Sequence, residues 1–234
     1  MYDITHIIKQ KNIMNDLSFP RLVSYPRTGS HWLRILVEKY TGIPSVVQSF
    51  FDPYPQKVWG FHIHDREIGK FEPSEGPTTN LKKVIYLYRD PVDTIYSQMK
   101  YHKDLPFSWD GKSSDFISKK VEDYIEEYFN HMNRWLKNNQ DIELLLIIKY
   151  EDIQKNSSTT CKKVIDFLNF EWDEEKFENV YKECDKFLTK RVTPHDHSAL
   201  NPEEIFHKDS ADNQRNMFKL LFKDKIEEKF KEFK

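Results

Sequence analysis

The stretch Leu22-Val23-Ser24-Tyr25-Pro26-Arg27-Thr28-Gly29-Ser30-His31-Trp32 has the residue types and order to bind and polarise an anion. An apolar run stops at Pro26 and passes through a Thr/Gly/Ser turn. Beyond it Leu33, Leu36, Val37 and Tyr40 recur at the i, i+3, i+4, i+7 spacing of a helix. A strand that turns through Gly29 into a helix aims several backbone N–H groups at one spot, at the positive end of the helix dipole. With Arg27 in the turn and the Thr28 and Ser30 hydroxyls beside it, the segment reads as a cradle for a phosphate or sulfate ester. From this segment alone, a plain strand followed by a capped helix is the competing reading.

Two further groupings carry chemistry. In Trp59-Gly60-Phe61-His62-Ile63-His64-Asp65, strand alternation puts Trp59, Phe61 and Ile63 on one face and His62 and His64 on the other. A histidine at the end of a strand can accept a proton near neutral pH. In Val84-Ile85-Tyr86-Leu87-Tyr88-Arg89-Asp90-Pro91, Arg89 falls at a strand end and Ser97 two turns into the next helix, placed to clamp a second phosphate. His195-Asp196-His197 is a second His-x-His, so the two pairs together leave a four-ligand metal site open as an alternative. A nucleotide kinase would want G-x-x-x-x-G-K-[ST] in the first turn. The turn here has one Gly and no Gly-Lys-Ser/Thr, although Asp90 at a strand end imitates a magnesium-binding acid.

The elements that must position these residues are legible as a pattern. Strand-like runs lie at 21–25, 58–64, 82–89 and 143–150, and helical patterns at 30–41, 91–102, 114–138, 157–169, 174–188 and 214–233. Asp90 followed by Pro91 predicts a helix start, with Asp as N-cap and Pro at the first helical position. Strands alternating with helices predict an α/β sandwich with a mainly parallel sheet, and near-continuous apolar strands predict a sheet covered on both faces. Ligands of such sheets bind at the carboxyl ends of the strands. Residues 43–57, with Phe50, Phe51 and Tyr54, and residues 189–213, with His195, His197 and His207, read as loops that face a substrate or merely connect.

Composition sets the outer bounds. A chain of 234 residues is sized for one domain, and residues 1–234 are read as one. The 36 basic and 38 acidic side chains leave a formal charge of −2, so no general attraction to nucleic acid is expected and any anion site is local. No apolar run reaches the ~20 residues that span a bilayer, so no membrane partner is expected. Cys161 and Cys184 lack metal-ligand spacing and read as reduced structural thiols, which with the polar N-terminal stretch predicts a cytoplasmic protein.

Taken together, these segments resemble the sulfotransferases that use 3′-phosphoadenosine 5′-phosphosulfate (PAPS). Tyr25 to Trp32 resembles the family's 5′-phosphosulfate loop, and Arg89-Asp90-Pro91-Val92-Asp93 running to Ser97 resembles its 3′-phosphate motif. Tyr150-Glu151-Asp152 resembles the segment whose Tyr contacts adenine, and Phe167-Leu168-Asn169 stands where Phe-Leu-Gly is usual. Residues 207–218 are similar to the C-terminal loop that closes on the 3′-phosphate. The likeness covers roughly residues 20–220.

The resemblance implies a P-loop NTPase-like, three-layer α/β fold. It also implies transfer of a sulfuryl group from PAPS to an acceptor hydroxyl, less readily an amine, with PAP as product and no metal. The acceptor would be a small molecule or glycan. Arg27 and the N–H groups of Thr28, Gly29, Ser30 and His31 would hold the sulfuryl oxygens. Trp32 and Tyr150 would flank adenine, and Arg89 and Ser97 would fix the 3′-phosphate. Arg27 stands where cytosolic members carry Lys, and His62 and His64 where they carry Lys and then His. By position His64 is the base and His62 its support. In the C-terminal loop the expected Arg and Gly are His207 and Asp209 and the aromatic is Gln214, while Lys208 and Arg215 are present as 3′-phosphate contacts. The alternatives are an ATP-dependent small-molecule kinase and a catalytically silent PAPS-binding protein. Neither the acceptor's identity nor the oligomeric state is legible.

Overall fold

A computed structural model describes residues 20–42, 62–64, 81–105, 114–189 and 208–233. Its centre is a sheet of four strands, β1 (Arg21–Ser24), β2 (His62–His64), β3 (Lys83–Tyr88) and β4 (Leu144–Lys149), in the order β2-β1-β3-β4. All three pairings are parallel. The predicted strand at 58–64 is present from His62; residues 58–61 lie outside the described residues.

The apolar strands alternate between two covered faces. Leu22, Ile85, Leu87 and Ile148 pack with Leu33 and Val37 of α1 (Ser30–Thr41) and with Val164 of α5 (Ser157–Phe167). On the opposite face Val23, Val84 and Tyr86 pack with Trp135 of α3 (Ser114–Leu136). Helices on both sides of a parallel sheet make the three-layer α/β arrangement that the pattern predicts. Four of the helical residues singled out in the sequence, Leu33, Leu36, Val37 and Tyr40, are buried. Full burial of such side chains stabilises by roughly 1.5–3 kcal/mol each. The edge strand β4 departs from expectation: Leu144 and Ile147 are half exposed, so the sheet is not covered evenly to its rim.

Two further helices complete the frame around the site. α2 (Pro91–Tyr101) starts as predicted, with the Asp90 carboxylate accepting from Asp93 N–H at 3.0 Å. A short helix α4 (Tyr150–Lys155) follows β4 directly, where the sequence pattern shows only a strand end. Its first turn carries Glu151 and Asp152, which suit the positive end of the helix dipole. Helix α6 (Glu174–Thr189) packs Phe177 and Cys184 against α1 and α5. Cys161 and Cys184 are buried free thiols, and burial pushes the Cys184 thiol up to about 12.

The C-terminal helix α7 (Lys208–Lys229) corrects a prediction. Residues 208–213, read as part of a closing loop, are helical. No Gly or Pro interrupts 208–229, and Asp209 and Asp212 sit near the dipole's positive end. Phe218, Phe222 and Ile226 bury one stripe of α7 against α2 and α3, with the Tyr96 and Phe218 rings 5.4 Å apart. A short 3₁₀ turn, Lys231–Phe233, follows.

Candidate active site

The strand register gathers the chemistry at one end of the sheet. Ser24 pairs with His64 on one side and Leu87 on the other, and Leu87 pairs with Ile148. The chain therefore leaves β1 into the Tyr25–Trp32 loop, β3 into Arg89 and β4 into Tyr150 at the same level. The order β2-β1-β3 places the reversal of strand order between β1 and β3, the crevice where such sheets bind ligands. His64 sits at the carboxyl end of β2, beside the start of the loop, with His62 two residues earlier. The side chains of His62, His64 and Lys208, together with all of His195, His197 and His207, lie outside the described residues. So do the aromatic residues of the 43–57 loop.

The loop is held from beneath. The Tyr25 ring is fully buried against Tyr128 at 4.7 Å and His131 at 5.4 Å, and Tyr86 Oη lies 3.0 Å from His131 Nδ1. The Thr28 hydroxyl donates to the Tyr25 carbonyl at 2.7 Å. It is thus turned into the loop, and what Thr28 offers an anion is its backbone N–H. Arg27 has φ 67 and Gly29 φ 90. The left-handed backbone at a non-glycine costs of order 1–3 kcal/mol and is found where function or packing enforces it. Gly29 is the N-cap of α1, so the helix opens directly on the turn and its first N–H groups have no acceptor within the helix.

Gly29 has a second reason to be glycine. A Cβ there would overlap Cδ2 and Cε2 of the Tyr150 ring, so the ring approaches the glycine more closely than any other residue would allow. The Arg89 guanidinium stands 5.0 Å from the centre of the same ring. Gly29→Ala is therefore expected to displace Tyr150 and lower PAP affinity by about tenfold or more, on strain of order 1–3 kcal/mol plus the lost ring position. Calorimetric titration alongside a thermal melt checks this; wild-type values in both would refute the packing argument.

A cluster of charged side chains gathers on and around α2. Arg27 Nε donates to Ser97 Oγ at 3.2 Å, and its guanidinium lies 5.1 Å over the Tyr101 ring one turn further on. Arg89 Nη2 is 3.7 Å from Asp93 Oδ2, and its Nη1 makes a long 3.5 Å contact with the Arg27 carbonyl. Arg215 and Lys219 of α7 reach Asp93 Oδ1 at 2.7 and 3.2 Å. Burial alone would raise the Asp93 carboxyl, but the hydrogen bonds from Arg215 and Lys219 outweigh it and hold it below the usual carboxylate range.

Arg89 is fixed at its backbone as well. Tyr128 Oη accepts from Arg89 N–H at 3.2 Å and donates to its carbonyl at 2.9 Å. Burial raises the Tyr128 hydroxyl above its ordinary value, so it stays protonated. Glu151 Oε1 accepts from Asp90 N–H at 3.0 Å, tying α4 to the start of α2. Trp32 is half-buried, its ring edge-on to Tyr181 at 5.6 Å.

Of the residues predicted from sequence, Arg27, Thr28, Gly29, Ser30, Arg89, Ser97, Tyr150 and Arg215 are joined by these contacts and by the helix start. Asp93, Tyr128, Glu151 and Lys219 are additions. Asp93 had a visible signal, four residues before Ser97 on one face of the predicted helix and four after Arg89. Tyr128, a hydroxyl on backbone atoms, had none. Among the described residues no cluster of His, Cys, Asp or Glu is arranged to hold a metal ion. No described helix is long and apolar enough to cross a membrane.

A parallel α/β sheet with Arg27 and Arg89 brought together at the carboxyl ends of β1 and β3 presents a cationic crevice at the place where such folds bind ligands. Comparison with known proteins makes the class specific. The sulfotransferase domain model matches residues 74–233, and the chain belongs to that family. Sulfotransferase 6B1 of Homo sapiens is 28% identical over 238 residues, covering 90% of this chain and 74% of that protein. Sulfotransferase 2A1 of Rattus norvegicus is 25% identical over 206 residues, covering 79% and 71%. In three dimensions the chain is similar to mouse sulfotransferase SULT7A1 complexed with PAP, with a TM-score of 0.55 at 19% identity over 83% of this chain and 75% of that one. The protein is an enzyme, a sulfotransferase of P-loop-like α/β fold that uses PAPS as donor. The family match covers Arg89 to Ser97, Tyr150 and α7, while the loop at 25–32 and β2 lie ahead of it.

Proposed function

We propose that this single-domain enzyme moves the sulfuryl group of PAPS onto a hydroxyl of a small-molecule or glycan acceptor, with His64 as general base. The observation that carries the reading is the joining of two cationic groups at one crevice. Arg27 of the loop touches Ser97 at 3.2 Å, and Arg89 of the second group reaches the Arg27 carbonyl. A donor whose 5′ and 3′ anionic groups hang from one ribose needs two cradles that abut, and these do. PAPS supplies the sulfuryl group and a phosphate leaving group.

The residues then divide the work. Arg27 and the N–H groups of residues 28–31 hold the sulfuryl oxygens and the charge that grows on the departing phosphate, an electrostatic role like that of an oxyanion hole. Arg89 and Ser97, with Arg215 and Lys208, hold the 3′-phosphate. Tyr150 and Trp32 flank the adenine from α4 and α1. His64, in register with Ser24 at the loop's start, takes the acceptor proton as its oxygen attacks sulfur in line, with His62 in support. Positioned base catalysis of this kind contributes typically ~10²–10⁴-fold. The cytoplasm is the proposed setting, supported by the two buried, unpaired thiols.

The test is nucleotide selectivity. PAP has a 3′-phosphate for Arg89 and Ser97 to grip and AMP does not. A charge-assisted contact is worth roughly 1.5–3 kcal/mol, so titration calorimetry should show PAP bound about tenfold or more tightly than AMP. Equal affinities would refute the assignment of the second cationic group.

A further inference from the structure

We infer that Tyr150 is a positioning residue for Arg89: its ring holds the guanidinium at the crevice, so Tyr150 sets the preference for a nucleotide that carries a 3′-phosphate. The inference rests on the PAPS reading above and gives the ring a task beyond flanking adenine.

The geometry begins at Arg89. Tyr128 fixes its backbone, but polar partners hold its guanidinium loosely. Nη1 stands 3.5 Å from the Arg27 carbonyl and Nη2 stands 3.7 Å from Asp93 Oδ2. Both lie beyond the roughly 2.7–3.2 Å of a good N–H···O hydrogen bond. Asp93 is drawn the other way, its second oxygen taking Arg215 at 2.7 Å and Lys219 at 3.2 Å. The Tyr150 ring supplies the further hold. Its centre lies 5.0 Å from the guanidinium carbon, inside the roughly 6 Å reach of a cation–π attraction.

That kind of hold suits a residue that must still bind an anion. A ring offers no lone pair to the N–H donors of a guanidinium, so it steers the cation and leaves the donors for a ligand. A close carboxylate in the same place would occupy donors and offset the charge. The ring is itself placed from two sides. It approaches Gly29 so closely that a Cβ there would overlap Cδ2 and Cε2. Tyr88 pairs with Lys149 across β3 and β4, so Arg89 and Tyr150 are the next residues of the two chains at one level of the sheet. One residue further on, Glu151 Oε1 accepts from Asp90 N–H at 3.0 Å and locks that register. Among the described residues the Tyr150 hydroxyl has a long 3.5 Å contact with Gln154 Nε2, so the ring and not the hydroxyl makes the hold.

Calorimetric titration of the full chain with PAP and with AMP tests this. The proteins are wild type, Tyr150→Phe, Tyr150→Leu, Arg89→Ala and the double variant with Tyr150→Leu and Arg89→Ala, with a thermal melt of each. AMP reports the adenine contact and PAP adds the 3′-phosphate, so the ratio of the two affinities isolates the work of Arg89. Tyr150→Leu should weaken both nucleotides, PAP about fivefold more than AMP, the size expected when one cation–π hold is lost. Tyr150→Phe keeps the ring and should keep most of the ratio. With Arg89→Ala already in place, Tyr150→Leu should weaken PAP and AMP by the same factor, because the group it positions is gone. Tyr150→Met takes the place of Tyr150→Leu if the latter does not melt cooperatively. Suppose wild type prefers PAP but Tyr150→Leu leaves the ratio unchanged, Tyr150→Phe loses it as fully as Tyr150→Leu, or the ratio still shifts without Arg89. Any of these results means that the ring does not position Arg89, and the inference is overturned. If wild type shows no preference for PAP over AMP, the reading of the whole second cationic group fails, and this inference with it.

Discussion

Replacing His64 by Ala is expected to lower turnover by ~10²-fold or more while leaving PAP affinity nearly unchanged, because the lost interaction belongs to proton transfer. The argument is positional. β2 pairs with β1 so that His64 lies opposite Ser24, at the level where the chain turns into the Tyr25–Trp32 loop. His62 lies opposite Leu22, two residues back toward the start of the strand and further from the loop. Only the residue nearer the carboxyl end is level with the place where the sulfuryl group is held. His62→Ala should therefore cost less, through orientation or lost positive charge. A base must be unprotonated to act, so the wild-type rate should fall as pH drops through its pKa, near ~6.5 if unshifted. Measuring turnover, PAP affinity and the pH profile for both variants decides between them. Near-normal turnover in His64→Ala with loss in His62→Ala would put the assignment one pleat out. Full activity in both would move the base elsewhere, with His195 and His197 next to examine.

What could be read from sequence follows from how local each signal is. The strand–turn–helix at 21–41 and the Asp90–Pro91 helix start are set by neighbours in the chain, and the structure has both. The position of Tyr150 after an apolar run was legible, but the helix that begins at it was not, since six residues are too few for a periodicity to show. Reading 189–213 as a loop, on its varied side chains, ran past the start of the last helix: 208–229 holds no Gly or Pro and is helical. The site's remaining parts depend on contacts between segments far apart in the chain. Lys219 meets Asp93 because Phe218 beside it docks α7 on α2. Tyr128 meets Arg89 through backbone atoms, which leave no trace in residue type. Gly29 was legible as a turn residue, yet its contact with the Tyr150 ring needed the fold.

The role given to Arg27 leads to the other large effect. Arg27→Met should lower kcat/KM for sulfuryl transfer by roughly 10²–10³-fold, the usual loss when one preorganised donor to a developing charge is removed. PAP affinity should fall far less, because PAP lacks the sulfuryl group and keeps its partners at Arg89 and Ser97. Fold damage does not account for such a loss: Arg27 is exposed, and its contacts include the Ser97 hydroxyl and the Tyr101 ring on α2. The left-handed backbone at this position is shared by wild type and variant, so it cancels in the comparison. Arg27→Lys keeps the charge and gives up the planar fork that spans Ser97 and the Tyr101 face, so its rate should lie between the two. Steady-state kinetics with PAPS and one accepted hydroxyl substrate, together with PAP titration, separates the cases. A variant Arg27→Met that loses PAP affinity as much as kcat/KM would make Arg27 a nucleotide anchor and not a stabiliser of the transferring group. One with unchanged kcat/KM would leave the sulfuryl charge to the backbone N–H groups of residues 28–31 alone.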